Sequence, residues 1–143
     1  MSGKRSKSRQ LALQAIYQWQ LASQNIKDIV QQFKDDEKPN SYEEEYFSDL
    51  IHGVPTHLNE LDELLSPYLD RAVLSVDPVE RAALRLGAYE LAHHPEVPYR
   101  VVINEAVELT KVFGAEDGHK YINGVLDKLA KKLRSKEMKA RSK

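Results

Sequence analysis

The first nine residues hold Lys4, Arg5, Lys7 and Arg9 and no acid, a local charge of +4. Residues 120–143 hold nine basic side chains against Asp127 and Glu137, or +7. The stretch 10–119 has 8 basic and 20 acidic side chains, so the overall charge of −1 conceals two basic ends around a middle of −12. Cations at the start of a helix oppose its macrodipole, by roughly a few tenths of a kcal/mol each. Four of them with no acid nearby point to an anionic partner, and phosphate is the anion whose chemistry fits. Solvated chain ends account for the same charges equally well. The acidic middle calls for a separate partner, of opposite charge.

A second constellation runs from Phe113 to Tyr121, through Gly114, Asp117, Gly118, His119 and Lys120. It places a turn, a His, a Lys and an aromatic at one corner between two helical stretches. Single-stranded RNA is read by stacking bases on aromatic rings while polar groups meet the base edges. Tyr121 reads either as such a platform or as a core aromatic, and both readings stand at the level of residue types.

Catalysis finds no foothold. The six glycines form neither a phosphate loop nor a dinucleotide fingerprint, and with no cysteine and no Gly-x-Ser-x-Gly elbow the usual nucleophiles are missing. His52 and His57 are five residues apart and do not share a helix face. The adjacent His93 and His94 stand at a helix end, where a cation is ordinary. Glu43, Glu44 and Glu45 read as a solvated helix face. The expectation is therefore no enzyme, no metal site and no cofactor.

The elements that must position these residues are all helical, because apolar residues recur at a spacing of three and four and no run alternates like a strand. Leu11, Ala12, Ala15, Ile16 and Trp19 mark a first helix, and Ile26, Ile29, Val30 and Phe33 a second. The polar stretch from Lys34 to Ser41 reads as a loop, with Ser41 and Glu44 as a capping box for the next helix. Gly53-Val54-Pro55 should interrupt that helix, since proline lacks a donor and clashes with the preceding turn. Leu58, Leu61, Leu64, Leu65 and Leu69 form a further stripe.

Asp77-Pro78-Val79-Glu80 combines a cap, a proline at the first helical position and a second capping box. The helix behind it, from Ala82 to Ala92, is apolar on nearly every side and reads as a buried central element. Pro98 should open a helix that Gly114 stops, and Ile122, Val125, Leu126, Leu129 and Leu133 a final one. The spacing predicts an all-α domain of about seven helices over residues 10–134. A basic segment (1–9) precedes it and a disordered basic tail (135–143) follows. The start leads into no apolar run of a signal peptide, and no stretch approaches the roughly 18 apolar residues of a membrane span. The expected address is the cytoplasm.

Four blocks carry a resemblance. Arg9–Trp19 resembles the opening helix of the NusB transcription antitermination factors, and Asp77–Leu91 the central helix of that family. Val97–Leu109 resembles its next helix, and Phe113–Asp127 its signature near the C-terminus. The blocks lie in the family's order and spacing and, with the linking helices, cover residues 5 to about 134. The resemblance implies a seven-helix fold of two small packed bundles. It implies binding of boxA RNA in nascent transcripts, notably of ribosomal RNA operons, as a heterodimer with the ribosomal protein NusE. That pair joins the RNA polymerase antitermination complex and suppresses premature termination.

The resemblance further implies RNA contacts from the amino-terminal basic segment (Lys4, Arg5, Lys7, Arg9) and from Asp117, His119, Lys120 and Tyr121. NusE would dock near Tyr17 and Glu80, and self-association of the free protein is compatible with such an apolar face. Many relatives have Ser where Gly118 stands and Phe where Tyr121 stands. A related module precedes the catalytic domain of ribosomal RNA cytosine methyltransferases. That enzyme class needs a cofactor-binding sheet and a cysteine, neither of which this sequence supplies. A helical protein–protein adaptor with inert basic ends is the remaining alternative.

Overall fold

In the computed structural model, which describes residues 3–141, the described residues form eight α-helices and no strand. These are α1 (Gly3–Ala22), α2 (Ile26–Asp36), α3 (Glu44–Thr56), α4 (Leu58–Leu65), α5 (Pro78–His93), α6 (Tyr99–Phe113), α7 (Gly118–Leu133) and α8 (Ser135–Arg141). Short 3₁₀ turns at Ser66–Tyr68 and Val73–Ser75 lead from α4 to α5. The helices wrap one continuous core, and α5 is its axis, touching α1, α3, α4, α6 and α7.

The Asp77 cap forms as its sequence predicts, with its carboxylate accepting from the amides of Val79 and Glu80 at 3.1 and 3.2 Å. Behind it every residue from Arg81 to Leu91 is buried. The polar members of that run survive burial because each is partnered. Arg85 forms a two-bonded pair with Asp62, both contacts 2.9 Å, and also donates to Gln20. Arg81 donates to the backbone carbonyls of Leu74 and Val76. Glu90 meets Arg9 and the Tyr46 hydroxyl.

Four local expectations are corrected. First, α1 begins at Gly3, so the basic residues Lys4 to Arg9 are its first two turns and not a separate segment; Met1 and Ser2 lie outside the described residues. Second, α2 extends to Asp36, and Ser41 does not cap α3: its hydroxyl donates to the Lys38 carbonyl. The residue at the N-cap is Glu43, which makes no side-chain cap bond; Ser8 of α1 holds its backbone instead, accepting from the Glu43 amide and donating to the Glu43 carbonyl, both at 2.8 Å.

Third, α3 runs through Gly53 and Pro55 and ends only at Thr56. Gly53 marks close packing here, since a Cβ would lie 2.2 Å from the Tyr89 ring. Fourth, residues 135–141 are helical, and Ser142 and Lys143 lie outside the described residues. Arg134 anchors this turn. It donates to the carbonyls of Leu91, His94 and Val97 at 2.9–3.0 Å, more weakly to that of Glu90, and pairs with Glu137 at 2.6 Å. A cation placed on the last carbonyls of α5 satisfies acceptors that a helix end otherwise leaves open. Glu137 in turn accepts from the Tyr99 amide at the start of α6.

Candidate RNA and partner interfaces

The first two turns of α1 set out the basic cluster on two levels. Arg9 faces inward and is 1% exposed, with Nη2 2.9 Å from Glu90 and Nη1 2.9 Å from Glu105. Burial works against its charge, but the Glu90 hydrogen bond and the neighbouring carboxylates hold its pKa above the ordinary arginine value. Burial, and after it the same carboxylate, push the Tyr46 hydroxyl far up, so Tyr46 stays a neutral donor. Arg9 is therefore a core ion pair. The expectation that it touches RNA is overturned by its burial.

Arg5 and Lys7 stay at the surface, about one third exposed, and each meets an acid from a later element. Arg5 binds Glu43 through two hydrogen bonds of 3.1 and 3.2 Å and stacks its guanidinium 4.3 Å over the Tyr46 ring. Lys7 lies 3.5 Å from Glu37. Lys4 is exposed beside them. The cluster of +4 read along the chain thus has acidic neighbours in space, and the pairs at Arg5 and Lys7 are of the exposed kind worth about 0–1 kcal/mol.

The corner before α7 sits at the other end of the central helix. Glu80, in the first turn of α5, has its carboxylate against Gly118, where a Cβ would come within 2.8 Å of Oε2. Glu80 and Glu90 are ten residues apart, so the two basic regions flank α5 at points about 15 Å apart along its axis. Asp117 and Lys120 are about three quarters exposed and lie 3.4 Å apart. His119 is half-buried, and its Nδ1 is shut off from water with no hydrogen-bond partner.

Tyr121 is half-buried against the core and is not a free platform. Its hydroxyl donates to Asp70 at 2.9 Å and accepts from the Asp70 amide at 3.3 Å, while Arg71 lies 5.4 Å from the ring centroid. The Arg71 and Tyr121 hydrogen bonds hold the Asp70 carboxyl down to about 2. Burial pushes the Tyr121 phenol up; the Asp70 amide and Arg71 work against this, and the Asp70 carboxylate adds to it. The segment between the two 3₁₀ turns, which sequence reasoning passed over, thus belongs to this corner. Its only signal is the adjacent opposite charges of Asp70 and Arg71.

Tyr17, 38% exposed on α1, borders a groove of about 280 Å³ with Leu13, Gln14, Val79 and Phe113. Gln20 ties α1 to the start of α5 through the Pro78 carbonyl at 3.0 Å. This brings Tyr17 to Val79, next to Glu80, so both predicted partner residues stand at one end of α5. Burial and the Asp77 charge push Glu80 up, against a smaller opposing effect of Arg71.

The helices that carry these surfaces are matched in known proteins. The model of the NusB family covers residues 6–131. The transcription antitermination protein NusB of Nitrosococcus oceani is 52% identical over 142 residues, spanning 99% of this chain and 95% of that one. Its counterpart from Alcanivorax borkumensis is 56% identical over 137 residues, 96% of this chain and 91% of the relative. Among solved structures, T. maritima NusB superposes with a TM-score of 0.78 at 30% identity, covering 92% of this chain and 93% of the other. A crystal structure of antitermination factors NusB and NusE in complex with double-stranded RNA matches with a TM-score of 0.78 at 29% identity, covering 92% and 98%. With the family match spanning α1 to α7 and relatives more than half identical almost from end to end, this chain belongs to the NusB family.

Proposed function

We propose that this protein is a transcription antitermination factor. It binds the boxA element of nascent RNA, notably from ribosomal RNA operons, jointly with the ribosomal protein NusE, and acts within the RNA polymerase antitermination complex in the cytoplasm. The observation that carries this reading is the likeness, over 92% of the chain, to a NusB solved together with NusE and RNA. The role is regulatory and not enzymatic. No helix among the described residues is long and apolar enough to cross a membrane, in keeping with a protein that meets nascent RNA.

In this reading the RNA follows a path from Lys4, Arg5 and Lys7 to Asp117, His119, Lys120 and Tyr121. The basic side chains neutralise phosphates, and Tyr121 offers the face on which a base stacks. NusE, a basic ribosomal protein, meets the acidic middle of the chain at the Tyr17 groove and Glu80, where opposite charge steers its approach and turns RNA away.

The test is fluorescence anisotropy with a single-stranded boxA RNA, a shuffled strand of the same composition and a duplex, each with and without NusE. The expected result is preference for the boxA strand and tighter binding when NusE is present. Equal binding of boxA and shuffled strands, with no effect of NusE, would overturn the reading.

A further inference from the structure

Away from both surfaces, three side chains converge where α3 turns into α4 beside the last turn of α5. His57 sits between α3 and α4, Glu60 lies in the first turn of α4, and His93 is the last residue of α5. His57 Nδ1 stands 3.1 Å and His93 Nε2 3.0 Å from the same oxygen of Glu60. The two imidazoles face each other with centroids 4.2 Å apart and planes inclined by 33°. The His93 ring is also stacked on Tyr89, 5.0 Å away at 27°, which fixes its orientation. All three donor atoms lie within 4.8 Å of one another, and among the described residues no other group of His, Asp and Glu does this.

We propose that His57, Glu60 and His93 form a binding site for a divalent transition metal of the zinc class, with a fourth position open to water. Zinc takes imidazole nitrogens and carboxylate oxygens at about 2.0–2.2 Å in tetrahedral array, which puts neighbouring ligand atoms about 3.3–3.6 Å apart. The two separations to the Glu60 oxygen are within a few tenths of an ångström of that edge. Two imidazoles and one carboxylate suit zinc, copper or nickel, whereas magnesium and calcium demand more oxygen ligands.

In the metal-free arrangement each ring can direct an N–H at the Glu60 oxygen, and the metal occupies the space of those two protons. Each neutral imidazole then carries its one proton on its other nitrogen. On the His57 side the site adjoins an open cleft of about 530 Å³, lined also by Tyr89, Glu45 and Asp49, whose carboxylates draw cations toward it. Two of the ligands come from the α3–α4 corner and one from α5. Occupancy therefore pins that corner to the central helix and favours the folded state.

The test is calorimetric titration of the untagged full chain with Zn²⁺ alone, paired with thermal melts. One equivalent should bind and raise the melting temperature, and Mg²⁺ at the same concentration should do neither. His57→Ala and His93→Ala should each weaken Zn²⁺ binding tenfold or more, while His52→Ala and His119→Ala leave it unchanged. Should an alanine variant fold poorly, Glu60→Gln, a change at an exposed residue, gives the same readout. Co²⁺ should show the intense visible absorption of a four-coordinate site, lost in Glu60→Gln. Absence of sub-millimolar binding, or binding that survives the loss of both His57 and His93, would overturn the proposal.

Discussion

Arg9 and Glu90 meet 2.9 Å apart with 1% and 2% of their side chains exposed. Glu105 holds a second Arg9 nitrogen, and Ser6 and Tyr46 donate to the two carboxylates, so the buried charges are paired and hydrogen-bonded. Removing one member strands the others in a medium that cannot solvate them, which costs about 3–5 kcal/mol. Arg9→Ala should therefore lower the unfolding free energy by about that amount, measured by urea denaturation. RNA affinity per folded molecule should stay at the wild-type value. A variant of normal stability that binds RNA weakly would return Arg9 to the RNA surface.

Arg5 and Lys7 carry the opposite expectation. Their partners Glu43 and Glu37 compete with phosphate, and the pairs are exposed enough to open. Each phosphate neutralised on a single strand contributes about 0.7 to the slope of log K against log salt. Arg5→Ala with Lys7→Ala should flatten that slope by up to about 1.4 while changing stability little. Glu43→Gln should raise RNA affinity at low salt, because it releases Arg5 from a carboxylate. If the slope is unmoved by the double variant, the amino-terminal cations are a solvated helix face.

Tyr121 and Asp70 yield a measurement made without RNA. Asp70 is depressed to about 2, so it favours the folded state above its ordinary value of 3.8, and that contribution is lost as pH falls through about 2. In Tyr121→Phe, carboxyl NMR should find the Asp70 midpoint moved up, and in Arg71→Ala moved up further, following the order of the two causes. For RNA, Tyr121→Phe keeps the stacking face and should bind nearly as wild type, whereas Tyr121→Ala should lose about 1–3 kcal/mol. Equal affinity of the two variants would leave Tyr121 a latch for the segment at Asp70 and nothing more.

What the sequence makes legible is what short-range physics decides. The Asp77 cap, the proline behind it and the buried run of α5 all follow from spacing within one turn or one helix face. The misreadings share the opposite property, because they depend on groups far apart in the chain. Ser41 has the right spacing to cap α3, yet α3 starts behind Glu43, whose backbone Ser8 holds from 35 residues away. Arg134 counts as one more cation in a basic tail until its nitrogens are found on the last carbonyls of α5. Arg9 has the composition of a phosphate ligand and the position of a core residue. His57 meets Glu60 three residues on, and only the packing of α4 on α5 brings the distant His93 to the same carboxylate.

Glu80 gives the sharpest separation between a local role and a partner role. As the third residue behind Asp77 it has the spacing of a capping box, but the Asp77 carboxylate alone caps the helix. The Glu80 carboxylate lies instead over Gly118, between the Tyr17 groove and the Tyr121 corner. Gly118 leaves room for it, and any side chain there would have to push it aside, since a Cβ would come within 2.8 Å of Oε2. Glu80→Gln keeps the shape and removes the charge, so its stability in thermal melts should stay within about 1 kcal/mol of wild type. Its affinity for NusE, measured by calorimetry, should fall, and Glu80→Arg should weaken NusE binding by several kcal/mol, as like charges meet. Gly118→Ala tests the same geometry without touching the charge: by displacing the Glu80 carboxylate it should lower NusE affinity in the same direction as Glu80→Gln. NusE affinity within about twofold of wild type in all three variants would place the partner on another face, with Glu80 kept for the local electrostatics of Asp77 and Arg71.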